Sequence, residues 1–163
     1  MLGKQEIKAF LDGKKIAYEW AEHEAVYTIE DMVKLGLEDM QDVAKNLFLR
    51  DAKGKRHFLV VVREDKKVDL KRLGELIGCS RLSFASEERL EKYLGLKKGS
   101  VTPLGVLNDE DRAVEVFFDE DFCKMKKIGV HPNENTASVF LPVDELLNII
   151  REHGNSLEIM SFL

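Results

Sequence analysis

The chain has 163 residues, of which 44% are hydrophobic and 34% charged, and its formal net charge is −5 at pH 7. This composition predicts one globular domain over residues 1–163, and no apolar run approaches the ~20 residues of a membrane helix. We therefore expect no membrane partner. The negative net charge argues against a protein that wraps long nucleic acid, so we also expect no DNA partner, but it is compatible with contact to the end of one RNA.

The first half of the chain predicts alternating helices and strands. Helical spacing of apolar side chains stops at Gly13, and Thr28 is placed to cap a second helix. The apolar run 58–62 is typical of a strand buried on both faces, and the polar linker 51–55 makes it one arm of a hairpin. The predicted elements are helices over residues 4–12 and 28–35, and strands over residues 16–20, 46–50 and 57–63.

The second half follows the same logic. Gly78, Gly95 and Gly154 each follow an amphipathic stretch and predict helix ends, while Asn108 and Asp109 predict the turn of a second hairpin. The predicted elements are helices over residues 69–77, 86–94 and 142–153, and strands over residues 82–84, 104–107, 113–118, 127–130 and 136–140. Because no regular βαβ rhythm appears, we predict an α/β (α+β) domain whose mixed, mostly antiparallel sheet curls toward a barrel with helices outside.

Common catalytic motifs are missing from the sequence. Cys79 and Cys123 are isolated, which is typical of a reduced, cytoplasmic protein. The four histidines are scattered along the chain, which argues against a zinc centre. The sequence also contains no phosphate-binding glycine loop and no serine-hydrolase elbow. We therefore expect an activity that uses neither a metal nor a cofactor.

Three short segments, far apart in the chain, carry the candidate chemistry. They read K-N-L-F-L-R at Lys45–Arg50, G-S-V-T-P-L-G at Gly99–Gly105 and H-P-N-E-N-T at His131–Thr136. A lysine at the mouth of a strand supplies a cation, a glycine-proline loop exposes backbone N–H groups, and a polar turn supplies hydrogen-bonding side chains. Such a set can hold an ester and the negative charge that develops on it.

Each segment also has an ordinary structural interpretation. Lys45 can be a surface lysine at a strand start, and residues 99–103 can be a plain turn after a helix. His131 can line a pocket or support its turn, and a role as catalytic base is a third, less favoured alternative. Asn133 and Asn135 can satisfy backbone groups within the turn. The residues alone leave these alternatives open.

In this order, K-N-L-F-L-R-D, G-S-V-T-P-L-G and H-P-N-E-N-T resemble the YbaK/ProX family of prolyl-tRNA synthetase-associated editing domains. The flanks Tyr18–Thr28 and Asp69–Ser86 are similar as well, so the resemblance covers essentially the whole chain. It implies the fold of that family and an enzyme that hydrolyses the ester of mischarged aminoacyl-tRNA. The chain looks most like freestanding members that clear Ala-tRNA(Pro), with the tRNA acceptor end and prolyl-tRNA synthetase as the implied partners.

The resemblance also implies roles for individual residues. Lys45 matches the family's essential lysine, and residues 99–103 match its G-x-x-x-P loop, whose amides would polarise the ester carbonyl. Residues near Thr28 and in that loop help to set the pocket size in the family. The implied catalytic residues are Lys45, Gly99, Ser100, Val101 and Thr102, and the implied substrate-binding residues are Thr28, Asn46, Pro103, His131, Asn133 and Asn135.

Other functions compete with this one. The nearest is the same reaction on Cys-tRNA(Pro) or another mischarged tRNA, because pocket lining distinguishes such substrates and one sequence does not resolve it. A second is a non-catalytic module that binds aminoacyl-tRNA or the synthetase, although a site that has lost its activity need not keep all of the motif residues. A third, an unrelated small α/β domain, requires the three ordered motifs to be a coincidence.

Overall fold

The computed structural model describes residues 1–25 and 43–162. Its helices are α1 (Lys4–Gly13), α2 (Leu70–Ile77), α3 (Glu87–Leu94) and α4 (Val143–His153), with 3-10 helices at Pro103–Asn108 and Glu120–Lys124. Its strands are β1 (Glu19–Glu22), β2 (Ala44–Arg50), β3 (His57–Arg63), β4 (Ser83–Phe84), β5 (Val114–Asp119), β6 (Lys127–Val130), β7 (Ala137–Pro142) and β8 (Leu157–Met160). The predicted helix over residues 28–35 lies outside the described residues.

The strands form two sheets that meet at one corner. Five strands in the order β4-β2-β3-β5-β8 make a mixed sheet, in which β5 runs parallel to β3 and β8 while the remaining pairs are antiparallel. Three antiparallel strands in the order β1-β7-β6 make the other sheet. A parallel bridge between Val43 and Gly129 joins the two sheets. The predicted mixed, curled sheet is therefore confirmed, and the described strands do not close into a full barrel.

The five-stranded sheet has a hydrophobic core on each face. Side chains of β2 alternate between the cores, so Ala44 and Phe48 join the larger one while Leu49 joins the smaller one. β3 is buried on both faces, because all of its residues from Phe58 to Val62 are fully buried, as the sequence predicts. Helix α2 contributes Leu73 to the smaller core, and α4 packs on the larger one.

Local capping signals explain why the described helices agree well with prediction. Asp69 and Ser86 accept hydrogen bonds from the first backbone N–H groups of α2 and α3. Gly78 and Gly95 end the same helices in the left-handed conformation, with φ values of 78° and 63°. These residues act within one turn of the helix, so the sequence alone is enough to place the boundaries.

The predicted hairpin around Asn108 is wrong. Residues 104–107 belong to a 3-10 helix that begins at Pro103, with Thr102 as its cap, and β5 pairs instead with β3 and β8. Proline at the first helical position fixes φ and lacks the N–H that a strand would need, which favours the helical turn over the strand. The first strand lies at residues 19–22 rather than 16–20, and β8 has no predicted counterpart.

Candidate functional site

The first and third motifs begin where the two sheets join, a place that we call the seam and define as residues 43–46 and 129–131. The bridge between Val43 and Gly129 is parallel, so Lys45 and His131 each lie two residues beyond it in the same chain direction. A Cβ added to Gly129 would lie 2.6 Å from the ring of Phe140, its cross-strand partner on β7, so glycine leaves room for this ring between β6 and β7. The fold thus places the first and third motifs side by side.

Lys45 and Asn46 point to opposite faces of the five-stranded sheet. Lys45 is paired with Val62, whose side chain lies in the smaller core, and Asn46 is paired with Val61, whose side chain lies in the larger core. The ammonium of Lys45 donates a hydrogen bond to the backbone carbonyl of Lys66. The hydrogen bonds among the described residues therefore hold Lys45 to the end of β3 rather than to the glycine-proline loop.

Asn46 carries an unusual buried group. Within the described residues 1–25 and 43–162, its buried Oδ1 has no hydrogen-bond partner, and neither does the buried Oδ1 of Asn133 in the polar turn 131–136. A buried carbonyl oxygen without a donor costs about 1–3 kcal/mol, so each orphaned oxygen stands out from the rest of the interior. Both oxygens can accept a hydrogen bond from an N–H or O–H group of a ligand.

The glycine-proline loop, residues 99–103, is held rigidly. Gly99 has φ = 87°, a left-handed conformation that strongly favours glycine. Ser100 and Thr102 are buried, with exposed fractions of 5% and 0%, and Val101 packs against the larger core. The amide of Ser100 donates to Lys97 O at 3.0 Å, so it is already used. None of the hydrogen bonds between described residues uses the amides of Val101 or Thr102, which leaves these two as candidate donors.

His131 is held as a neutral ring with a defined tautomer. Its Nδ1 lies 2.9 Å from Ala137 O, and because a carbonyl only accepts, Nδ1 carries the hydrogen. Burial lowers the pKa of His131, and nearby His23 lowers it further, while the bond to Ala137 partly opposes this change. A neutral ring protonated at Nδ1 presents Nε2 as an acceptor, so His131 is suited to receive a hydrogen bond from a ligand.

A second histidine, which the sequence singles out only weakly, lies next to His131. The His23 ring centroid is 6.2 Å from that of His131. Nδ1 of His23 donates to Glu24 O at 2.8 Å, and its Nε2 forms a hydrogen bond with the hydroxyl of Ser138 at 2.9 Å. Ser138 is buried on β7 and has no signal in the sequence that distinguishes it from other serines.

The start of the chain supports the polar turn. Asn133 adopts φ = 64° and donates from Nδ2 to Leu2 O at 3.0 Å. The backbone N–H of Lys4 donates to Glu134 at 2.6 Å, and the ammonium of Lys4 donates to Thr136 at 2.9 Å. The turn is therefore fixed by contacts more than 100 residues away in sequence, which no local pattern indicates. Asn135 lies half-buried in the same turn, and Thr28 lies outside the described residues.

The described residues lack a metal-binding cluster and a membrane-spanning helix. Within residues 1–25 and 43–162, no three His, Cys, Asp or Glu side chains are placed to hold a metal ion. In the same part of the chain, no helix has both the length and the apolar character needed to cross a membrane. Among the described residues, no hydrogen bond links Lys45 to the loop 99–103 or to His131, because its ammonium lies on the face of the sheet opposite to Asn46 and is bonded to Lys66 O. Lys45 can bind an anionic group, and the acceptors at His131, Asn46 and Asn133 can each bind a donor group of a ligand.

The chain is similar in sequence to several known proteins. The model of the aminoacyl-tRNA editing domain family matches residues 23–149. The chain is 51% identical over 158 residues to the prolyl-tRNA editing protein ProX of Acetoanaerobium sticklandii, covering 97% of this chain and 96% of that one. It is 33% identical to prolyl-tRNA synthetase associated domain-containing protein 1 of Danio rerio, covering 98% of this chain and 87% of that one.

Two further comparisons concern the domain itself. A stretch covering 67% of the chain is 30% identical to the proline--tRNA ligase of Limosilactobacillus fermentum, of which it covers 19%. A solved structure described as a candidate trans-editing enzyme for prolyl tRNA synthetase superposes with a TM-score of 0.73, at 20% identity, covering 97% of this chain and 94% of that one. At that identity the superposition shows the fold alone.

Proposed function

The chain belongs to the aminoacyl-tRNA editing domain family, and from that premise we propose that it hydrolyses the ester of mischarged Ala-tRNA(Pro) in trans. The proposal rests on one observation above all, the likeness over nearly the whole chain to a protein named as a prolyl-tRNA editing protein. The chain would act as one domain, in the cytoplasm, on the acceptor end of the tRNA. Prolyl-tRNA synthetase is the partner that supplies the mischarged substrate.

The glycine-proline loop supplies the electrostatic part of the mechanism. The amides of Val101 and Thr102 would donate to the carbonyl oxygen of the ester, where negative charge develops as water attacks. Each such donor is worth roughly 3–4 kcal/mol in the transition state. Gly99 and Pro103 hold the loop in the shape that keeps these donors in place.

Lys45 would hold the 3′ end of the RNA. An ammonium has three N–H donors, and the bond to Lys66 O uses one of them. The other two can reach a phosphate or ribose oxygen, or stabilise the developing negative charge. A bound cation of this kind raises the rate only if its contact is better in the transition state than in the ground state.

The neutral acceptors would orient the amino acid and the ribose. The α-ammonium of an aminoacyl ester and the free ribose hydroxyl are both donors, and the orphaned oxygens of Asn46 and Asn133 and Nε2 of His131 are acceptors. Water would attack with help from that ribose hydroxyl. Because an activated ester is easier to cleave than an amide, the reaction does not require a strong base from the protein.

Editing has a physical purpose in this setting. A synthetase pocket shaped for proline discriminates poorly against a smaller apolar amino acid, since a missing methylene is worth only about 1–3 kcal/mol. A second site that admits alanine and excludes proline corrects the error by size. Val101, half-buried beside the larger core, is a described loop residue whose side chain would limit this size.

The test is deacylation of Ala-, Cys- and Pro-tRNA(Pro) by wild type and Lys45→Ala, with Lys53→Ala as the matched control. Lys53 is an exposed lysine in the turn between β2 and β3, away from the seam. We expect rapid loss of alanine alone, abolished in Lys45→Ala and unchanged in Lys53→Ala. Loss of cysteine instead would assign the rival substrate. If no aminoacyl-tRNA is cleaved, a non-catalytic binding module replaces the proposal.

A further inference from the structure

We propose that Lys66 is a positioning residue for Lys45, because its ion pairs with Asp119 and Asp121 fix the backbone carbonyl that receives the Lys45 ammonium. This inference rests on the proposed function, in which Lys45 contacts the substrate. It assigns a role to a charged cluster that lies outside the three sequence motifs.

The cluster is compact and strongly bonded. The Lys66 ammonium lies 2.7 Å from Asp119 Oδ1 and 2.7 Å from Asp121 Oδ2. Asp119 also accepts backbone hydrogen bonds from Arg63 at 3.1 Å and from Asp121 at 3.0 Å. The backbone of Lys66 donates to Arg63 O at 3.1 Å, which closes a tight turn at the end of β3. Side chain and main chain of Lys66 are thus both fixed.

Burial increases the free-energy cost of breaking these ion pairs. The Asp119 side chain has no exposed surface and the Lys66 side chain is 16% exposed. Burial alone would lower the pKa of Lys66, but the hydrogen bonds to Asp119 and Asp121 outweigh it and raise the pKa. Removing one partner of a buried pair is strongly destabilising locally, since a charge is left without compensation. The turn that carries the Lys66 carbonyl is therefore tied to the core by a contact that tolerates little movement.

Lys45 needs such an anchor for a physical reason. A lysine side chain has a flexible four-carbon stem and presents a point charge, so it does not choose one position by itself. A fixed acceptor restricts the ammonium before substrate arrives, which lowers the ordering cost in the transition state. The Lys66 carbonyl is the acceptor that the structure provides for Lys45. Supporting contacts of this kind change activity by roughly 10–100-fold in well-studied sites.

The experiment compares Lys66→Met with Lys66→Arg and with Lys67→Met, which removes an adjacent exposed lysine as the matched control. Steady-state deacylation of Ala-tRNA(Pro), with substrate in excess over enzyme, gives kcat and KM for each variant. A second readout measures the rate at which a small amine-reactive reagent labels Lys45, by peptide mass spectrometry. This readout is independent of activity and reports how firmly the ammonium is held.

We expect Lys66→Met to lower kcat about 10–100-fold with KM changed less than about twofold, and to increase Lys45 labelling. Lys66→Arg, which keeps the positive charge, should recover most of the rate, and Lys67→Met should match wild type. Unchanged kcat and labelling in folded Lys66→Met overturn the inference. Should that variant fail to fold, Asp121→Asn, which removes one of the two ion pairs of Lys66, should show a smaller loss of kcat and a smaller increase in Lys45 labelling, and unchanged values of both overturn the inference.

Failure of this inference is distinguishable from failure of the proposed function. If Lys45→Ala retains full activity, the role of Lys45 is wrong and the positioning of its ammonium has no consequence for catalysis. If Lys45→Ala is inactive while Lys66→Met turns over like wild type, the proposed function stands and only the positioning role is wrong.

Discussion

Gly129→Ala tests whether the pairing of β6 with β7, next to the seam, depends on close packing of Phe140 against Gly129. The added Cβ would lie 2.6 Å and 2.9 Å from two atoms of the Phe140 ring, distances that a real contact does not allow. Phe140 is only 6% exposed, so its ring cannot swing freely into solvent. Overpacking of this kind costs about 1–3 kcal/mol. Since Gly129 also forms the bridge to Val43, we expect Gly129→Ala to lower the deacylation activity as well as the stability.

The assay is urea unfolding of Gly129→Ala beside Gly13→Ala. A Cβ at Gly13 meets nothing within 4 Å, at the end of α1, so that substitution should be neutral or stabilise by about 0.4–1 kcal/mol. The double variant Gly129→Ala/Phe140→Leu removes ring atoms and should be at least about 0.5 kcal/mol more stable than the sum of the single effects predicts. Equal stability of the two alanine variants, or strict additivity, would refute the packing argument.

Two further predictions follow from backbone conformation and from histidine burial. Gly99→Ala should cost about 1–2 kcal/mol, because Gly99 has φ = 87°, and it should slow deacylation more than it raises KM; an unchanged rate would show that the loop amides are not aimed at the ester. His57 is 1% exposed with Nε2 accepting from Arg89 at 3.0 Å, and burial, then the charge of Arg89, lowers its pKa below 6.5. Below pH 6.5 the unfolded chain then binds more protons at His57 than the folded chain does. The contribution of neutral His57 to the free energy of unfolding is therefore fully present above pH 6.5 and is lost as the pH falls, by at most about 1.4 kcal/mol per pH unit. The urea concentration at the midpoint of unfolding should fall from pH 7.5 to pH 5, and it should fall less steeply in His57→Gln. If its dependence on pH is the same in that variant as in wild type, His57 is not the cause.

Much of the fold is predictable because the signals are local. Asp69 and Gly78 bound α2 within a few residues of sequence, and the apolar run 58–62 indicates a doubly buried strand. The parallel pairing of β5 with β3 and β8 is not predictable in this way, because it joins segments that are far apart in sequence and no hydrophobic periodicity indicates which strands pair. The strand β8 is not predictable from the sequence for the same reason, since only its pairing with β5 defines it.

The same distinction between local signals and long-range contacts applies to the candidate site. Residue type and motif order indicate Lys45, the glycine-proline loop and the polar turn, and the resemblance gives them roles. The sequence does not show that Lys66 and Asp119, which are 53 residues apart, form the ion pair beside Lys45. Nor does it show that Leu2 and Lys4 hold the polar turn. Such contacts involve common surface residue types, so nothing in the sequence separates them from other lysines and aspartates.

The position of Lys45 at the start of β2 explains why the carbonyl of Lys66 and the seam both support this residue. Lys45 is the second residue of β2, where the strand leaves the ladder it forms with β3 and meets β6 through the bridge between Val43 and Gly129. A residue at the end of a ladder has fewer neighbours to fix it than one in the middle of a strand, which leaves its side chain accessible to a ligand but also less ordered. The ion pairs of Lys66 compensate for this by fixing the acceptor of the Lys45 ammonium, and the bridge between Val43 and Gly129 fixes the backbone at the start of β2. We therefore expect the two perturbations, Lys66→Met and Gly129→Ala, to affect turnover through the same residue, so that combining them in a double variant lowers the rate by less than the product of their separate effects.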